Sequence, residues 1–178
     1  MGTESLRTLS LTLLLGTTLL AGCAHTYRAD RTLHGERLPK GASFYIALPE
    51  PGSFEGRNFP DSPQQTVSAI KEALQPHASR VENGTAPEEY ESAVASARRA
   101  GLDYAVVPVI KHWEERATEW SGKPDRIKLQ LHILQVESAQ TVDSAEITGR
   151  SRWGTFGGDH PEELLPVPVG DYIESLFQ

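Results

Sequence analysis

The chain has 178 residues, and its 24 Asp and Glu against 17 Lys and Arg give a formal charge of −7. That acidity argues against nonspecific nucleic-acid binding, which depends on neutralising phosphates. One cysteine in the whole sequence excludes an internal disulfide and a metal site built from paired cysteines.

At the N-terminus, Leu9 to Leu20 is an apolar run interrupted by Ser10, Thr12, Gly16, Thr17 and Thr18. At about 12 residues it falls short of the roughly 20 that a membrane-spanning helix needs. It fits the apolar region of a secretory signal that ends in small residues. The flank before it is weakly basic, with Arg7 opposed by Glu4. Leu20-Ala21-Gly22-Cys23 closes the run and looks like a bacterial lipobox. The pattern predicts a signal peptide over residues 1–22, cleavage after Gly22, and lipidation of Cys23 by a diacylglycerol and an N-acyl chain. No other cofactor is expected. Each buried CH₂ contributes about 0.8 kcal/mol, and two acyl chains already give stable anchoring. The rival reading is an uncleaved anchor. Ala24, where an aspartate would retain a lipoprotein elsewhere, implies by resemblance to other lipoproteins an outer-membrane address, facing the periplasm.

Cleavage leaves 156 residues with the charge unchanged, because residues 1–22 hold one Arg and one Glu. This length suits one domain with a real core. No basic cluster in the sequence offers a second signal for anionic lipid. Residues 24–40 are polar, so residues 23–40 read as a lipidated flexible tether and residues 41–178 as a single domain.

Within that domain, Phe44, Ile46 and Leu48 alternate on a first strand. Pro49 to Asp61 is rich in Pro and Gly and reads as a surface loop. A helix is expected from Ser62, with Pro63 at its first position, Gln65 at capping-box spacing and a Val67, Ile70, Leu74 stripe. Ser79 to Glu82 reads as a short strand. A second helix is expected from Thr85, with Glu88 at capping-box spacing, a Tyr90, Val94, Ala97 stripe and a stop at Gly101. Tyr104 to Ile110 is a nearly continuous apolar strand in which Pro108 demands a bulge or an unpaired position. Arg126 to Glu137 alternates strictly through Ile133 and then changes phase at Leu134 and Val136, which predicts a bulge or twist. Val142 to Trp153 alternates again, and hairpins join these strands. A last helical region follows Gly157-Gly158, with Val169, Tyr172, Ile173, Leu176 and Phe177 as its apolar stripe. The order β-α-β-α-β-β-β-α predicts an α/β (α+β) fold, a mixed sheet of about four to five strands with helices packed on it.

Two stretches carry a resemblance, His112 to Asp125 (HWEERATEWSGKPD) and Trp153 to Pro161 (WGTFGGDHP). Together they resemble an uncharacterised family of small proteobacterial lipoproteins, a domain of unknown function, over roughly Gly41 to Phe177. By element order alone the chain is also similar to the amino-terminal domain of TolB and related envelope lipoprotein domains. These include the curli-secretion pore subunit, activators of penicillin-binding proteins and exopolysaccharide-export lipoproteins. The likeness implies an accessory role in an envelope machine, acting through protein contacts.

The chemistry-bearing segment is Trp113 to Trp120, with two tryptophans and the carboxylates Glu114, Glu115 and Glu119. If the strand continues past Ile110, His112 and Glu114 share one face and Trp113 and Glu115 the other. One reading is a docking tip made by Trp113, Glu115, Glu119, Trp120 and Asp125, since Trp and Tyr dominate binding hot spots. A second is glycan stacking on Trp120, or a glycan-acting enzyme using Glu114 and Glu119. A third puts Trp113 in the core and leaves the charges to solvate a hairpin. Amides near Asp159 could cradle an anion, although Asp159 itself repels one; the plainer reading is a turn feeding a capped helix. A metal site from His112, Glu114 and His160 is conceivable, but no metal motif is present. No nucleophile elbow or phosphate loop occurs, so a non-enzymatic interaction protein is the expected class.

Overall fold

A computed structural model of the protein describes residues 25–115, 123–151 and 160–178. In chain order the elements are β1 (Thr26–Leu33), β2 (Ser43–Leu48), β3 (Gly52–Phe54), β4 (Arg57–Phe59), α1 (Ser62–Leu74), β5 (Arg80–Pro87), α2 (Tyr90–Ala100), β6 (Tyr104–Glu114), β7 (Arg126–Gln135), β8 (Gln140–Arg150), a 3₁₀ turn (Pro161–Leu164) and α3 (Pro166–Ser175). Six strands form one mixed sheet, β1-β8-β7-β6-β2-β5, and β3 and β4 form a separate hairpin. β2 runs parallel to β5 and β6, and the remaining pairs are antiparallel. The expected mixed sheet with packed helices is therefore present, extended by β1 at one edge and by the hairpin.

Two apolar layers flank this sheet. Phe44 and Ile46 of β2, Leu129 and Leu131 of β7 and Ile147 of β8 face α1 and α3, where Ile70 and Tyr172 meet them. Tyr45, Ala47 and Val107 face α2 across Ala93, Val94 and Ala97 on the other side. β2 is buried along its whole length, as a parallel strand covered on both faces must be, which is why its sequence is nearly all apolar. The bulge expected near Leu134 is present, but it lies in the partner strand β8. Ile133 pairs with Asp143 and Leu134 with Thr141, so Val142 is the extra residue. β7 itself keeps its alternation against β6, so Leu134 and Val136 face the second layer, where that side of the sheet becomes apolar. Pro108 keeps register with Leu131, while β2 pairs with β6 only as far as Val106. Its missing N–H therefore lies beyond the β2 ladder, the unpaired position anticipated.

Four expectations need correction. Most of the expected tether is sheet: Thr26–Leu33 pairs antiparallel with β8, and Leu38 is buried. Asp143 explains this. It is buried, accepts from Gly35 N–H at 3.0 Å and from the Tyr172 hydroxyl at 2.9 Å, and pairs with Arg31. Arg31 looks like a tether charge in sequence but is the partly exposed partner of the buried Asp143, an ion pair that ties β1 to β8 and α3. Burial and then the Asp143 charge push the Tyr172 phenol up.

The second correction concerns the helix expected at Thr85. β5 continues to Pro87 and α2 begins only at Tyr90. Glu88 does not close a capping box; it accepts from Tyr45 Oη at 2.6 Å. Burial first, then this bond, pushes the Tyr45 phenol up to about 12. Third, Tyr90 is 38% exposed and stands edge-on to His132 at 5.1 Å instead of entering the core. Fourth, Ser62 begins α1 but caps nothing. Its Oγ donates to Phe59 O at 2.7 Å and accepts from Gly52 N–H at 2.8 Å, so it fastens the hairpin to the helix. α2 does end at Gly101, whose φ of +67° is the left-handed geometry that glycine adopts without strain. No described helix is long and apolar enough to cross a membrane.

Candidate interaction surface

The residues singled out by sequence converge on the end of the sheet where β6 stops and β7 starts. Across that end, Thr26, Arg150, Arg126 and Glu114 are successive neighbours in register. A second bulge, between Ile110 and His112, makes Lys111 the extra residue of β6. After it, alternation resumes as anticipated: Trp113 pairs with Ile127 on the side of α1, and Glu114 with Arg126 on the other.

The β3–β4 hairpin decides what those faces meet. It lies against β6 past the end of the β2 ladder and so covers a strand edge that would otherwise be open to pairing. A Cβ on Gly52 would sit 2.6 Å from Trp113 Cβ and 2.9 Å from the Ile110 side chain. Glycine is therefore required by close approach. Gly52→Ala is expected to lower stability by about 1–3 kcal/mol, the cost of overpacking a filled site. Urea unfolding midpoints measure it, and an unchanged midpoint would mean that the hairpin does not press on Trp113.

Trp113 is 3% exposed and belongs to the main core, so it is not a contact residue. Asp125 is 5% exposed and extends the β7–β8 pairing by one step. Its N–H reaches Ser151 Oγ at 2.9 Å, and its carbonyl accepts from Ser151 N–H at 3.0 Å. It too leaves the contact set. Glu115 stays partly exposed and faces His160 Nδ1 at 3.4 Å. Cys23, Gly22, Glu119, Trp120 and the glycine-rich stretch from Trp153 to Asp159 lie outside the described residues.

Around Glu115, a cleft of about 370 Å³ is lined by Arg57, Asp61, Gln65, His160 and Glu162, with Trp113 in its wall. Arg57 lies over the Phe59 ring at 5.2 Å. Sequence reasoning passed over Arg57 and Asp61 because they sit in a segment read as loop. No local pattern could reveal that the hairpin folds back onto β6. On the opposite face, His112 Nε2 and Glu114 Oε2 are 2.9 Å apart, and the Phe54 ring abuts His112 edge-on at 5.1 Å. The conceivable trio of His112, Glu114 and His160 is thus split between two faces. Among the described residues no group of three His, Cys, Asp or Glu is placed to hold a metal ion. Two further clefts, of about 660 and 330 Å³, lie at the far end of the sheet and between α2 and β6. They gather none of the sequence candidates.

These features define a single α+β domain, a six-stranded mixed sheet with one helix on one face and two on the other. The same fold occurs in PelC from Paraburkholderia phytofirmans, solved as a dodecamer. That match has a TM-score of 0.63 and 16% identity, and covers 86% of this chain and 97% of that one. It occurs also in lipoprotein GNA1162 from Neisseria meningitidis, at TM-score 0.52 and 10% identity, with 76% of this chain and 98% of that one covered. Protein XCC0632 from Xanthomonas campestris matches at TM-score 0.50 and 12% identity, covering 85% and 91%. No curated protein sequence matches the chain. Residues 36–176 match the family described as Domain of unknown function (DUF4823), and the chain belongs to that family. An uncharacterised family was the one anticipated from the stretches at 112–125 and 153–161.

Proposed function

We propose that the protein is a lipid-anchored accessory protein of the bacterial envelope. It is held through Cys23 in the outer membrane, faces the periplasm and docks a protein partner beside that membrane without performing chemistry of its own. The observation that carries this reading is the alignment of the sheet end. β1 starts at Thr26, three positions after Cys23, and Thr26 lies in one row with Arg150, Arg126 and Glu114. The segment that joins β6 to β7 therefore leaves the fold beside the anchor. Glu115 is the described member of the contact set. Arg57, His160 and Glu162 supply charge of both signs around it, and Glu119 and Trp120 follow it in sequence. A glycan ligand is the weaker reading, because burial of Trp113 removes one of the two aromatic faces available for stacking. The likeness in fold to lipoprotein GNA1162 supports the anchored reading.

Cell fractionation tests the anchor. Cys23→Ala is expected to move the body from the membrane fraction to the soluble fraction, because it removes the acyl chains that hold it there. Retention of the variant in membranes would contradict lipid anchoring.

A further inference from the structure

We propose that Arg126 and Arg150 form a cationic contact that turns this end of the sheet onto the phosphates of anionic lipid headgroups, in the leaflet that holds Cys23. The inference rests on the lipid-anchored reading and adds an orientation to it. Arg126 and Arg150 are 24 positions apart in sequence and directly opposite across β7 and β8. Both are exposed, and both lie on the face away from α1 and α3, since their neighbours Ile127 and Gly149 face the core at Leu164. Cations placed directly opposite on antiparallel strands repel each other.

Among the described residues, their surroundings do not neutralise them. On the same face Arg28 pairs with Asp30 at 2.6 Å and Lys128 with Glu146 at 2.9 Å. Glu114 lies across from Arg126 but is 2% exposed and turned to His112 at 2.9 Å. Among the described residues no carboxylate lies within ion-pair distance of either guanidinium. Two adjacent guanidinium forks match the oxygens of a phosphate.

Position supplies the partner. Thr26 is the next residue in the row after Arg150, and three residues of chain reach at most about 11 Å. Strands lie about 4.8 Å apart, so both arginines stay within about 20 Å of the lipidated sulfur. The body as a whole carries −7 and is repelled by an anionic surface, so attraction to such a surface has to come from local groups of cations such as this pair. The contact was invisible to a search for basic clusters along the sequence, because register builds it.

The test uses the full lipoprotein purified from membranes and reconstituted into phosphatidylcholine vesicles, with or without phosphatidylglycerol. A fluorescent amino acid replaces Thr148, near the pair, or Ser138, in the turn at the far end of β7, and a headgroup-attached quencher reports proximity. In anionic vesicles the probe at 148 is expected to be quenched much more than the probe at 138. Arg126→Glu with Arg150→Glu is expected to bring that ratio close to one, because removing two arginines weakens attraction to an anionic surface about thirtyfold. Lys40→Glu, at the far end, leaves it unchanged. Thermal melting of the double variant checks that it is folded. Equal quenching at both positions, or a ratio indifferent to the double reversal, overturns the contact while the anchor stands. Failure of the wild-type chain to stay on any vesicle overturns the anchor and the contact together.

Discussion

Trp113→Ala is expected to lower the stability of the domain by about 3–5 kcal/mol, the range for truncating a buried large aromatic. Trp113 is 3% exposed, stacked between the hairpin at Gly52 and the β7 residue Ile127. The indole leaves a void that cannot close, because β6 and the hairpin are fixed on both sides by hydrogen bonds, the latter through Ser62. Trp113→Phe keeps part of the volume and is expected to lose less. Denaturant unfolding at matched m-values measures both. A loss within about 0.5 kcal/mol, as for a surface substitution, would return Trp113 to the docking tip.

Asp143→Ala is expected to cost about 3–5 kcal/mol, the scale for stranding one partner of a buried ion pair. It leaves Arg31 without its counter-charge and the Tyr172 hydroxyl and Gly35 N–H without an acceptor. The loss should localise: β1 amides that exchange slowly in the wild type exchange fast in the variant, because Asp143 is what fixes the edge strand to β8 and α3. The triple change Arg31→Met, Asp143→Leu and Tyr172→Phe removes the charges together and is expected to recover much of the stability. A triple variant no better than Asp143→Ala would mean that the network stabilises by more than mutual neutralisation.

How much of this was legible in sequence depended on the range of the interactions. β7 and β8 were readable because period-two alternation is local, and the apolar switch at Leu134 marks where the second face of β7 becomes buried. The stripe of α3 and the stop of α2 at Gly101 were local in the same way. β1 was not readable. Its inward residues, Tyr27, Ala29 and Arg31, are two small or amphipathic side chains and a charge, and the charge is partly buried only because it pairs with Asp143, 112 positions away. The start of α2 was misplaced because Glu88 had two uses, a capping box with Thr85 or a bond to Tyr45, and the tertiary bond won. The candidate site divided along the same line. Alternation put Trp113 and Glu115 on one face, but only the folded hairpin shows that this face closes over Trp113 and leaves Glu115 at the rim. Asp125 is buried and bonded through its backbone to Ser151, 26 positions on, and nothing near it in sequence signals that. The fixed end of β1 also shortens the leash to Cys23 from the expected 18-residue tether to a few residues. Under the proposed anchoring, that change would hold the sheet end close to the membrane.

Photocrosslinking in living cells tests the central claim most directly, with a photoreactive amino acid at Trp120 and a control at Ser138, followed by mass spectrometry of the adducts. A specific envelope protein captured at 120 and not at 138 is the expected result, and it would name the machine that the anchored domain serves. Glycan adducts alone, or no protein adduct above the control, would contradict the docking function.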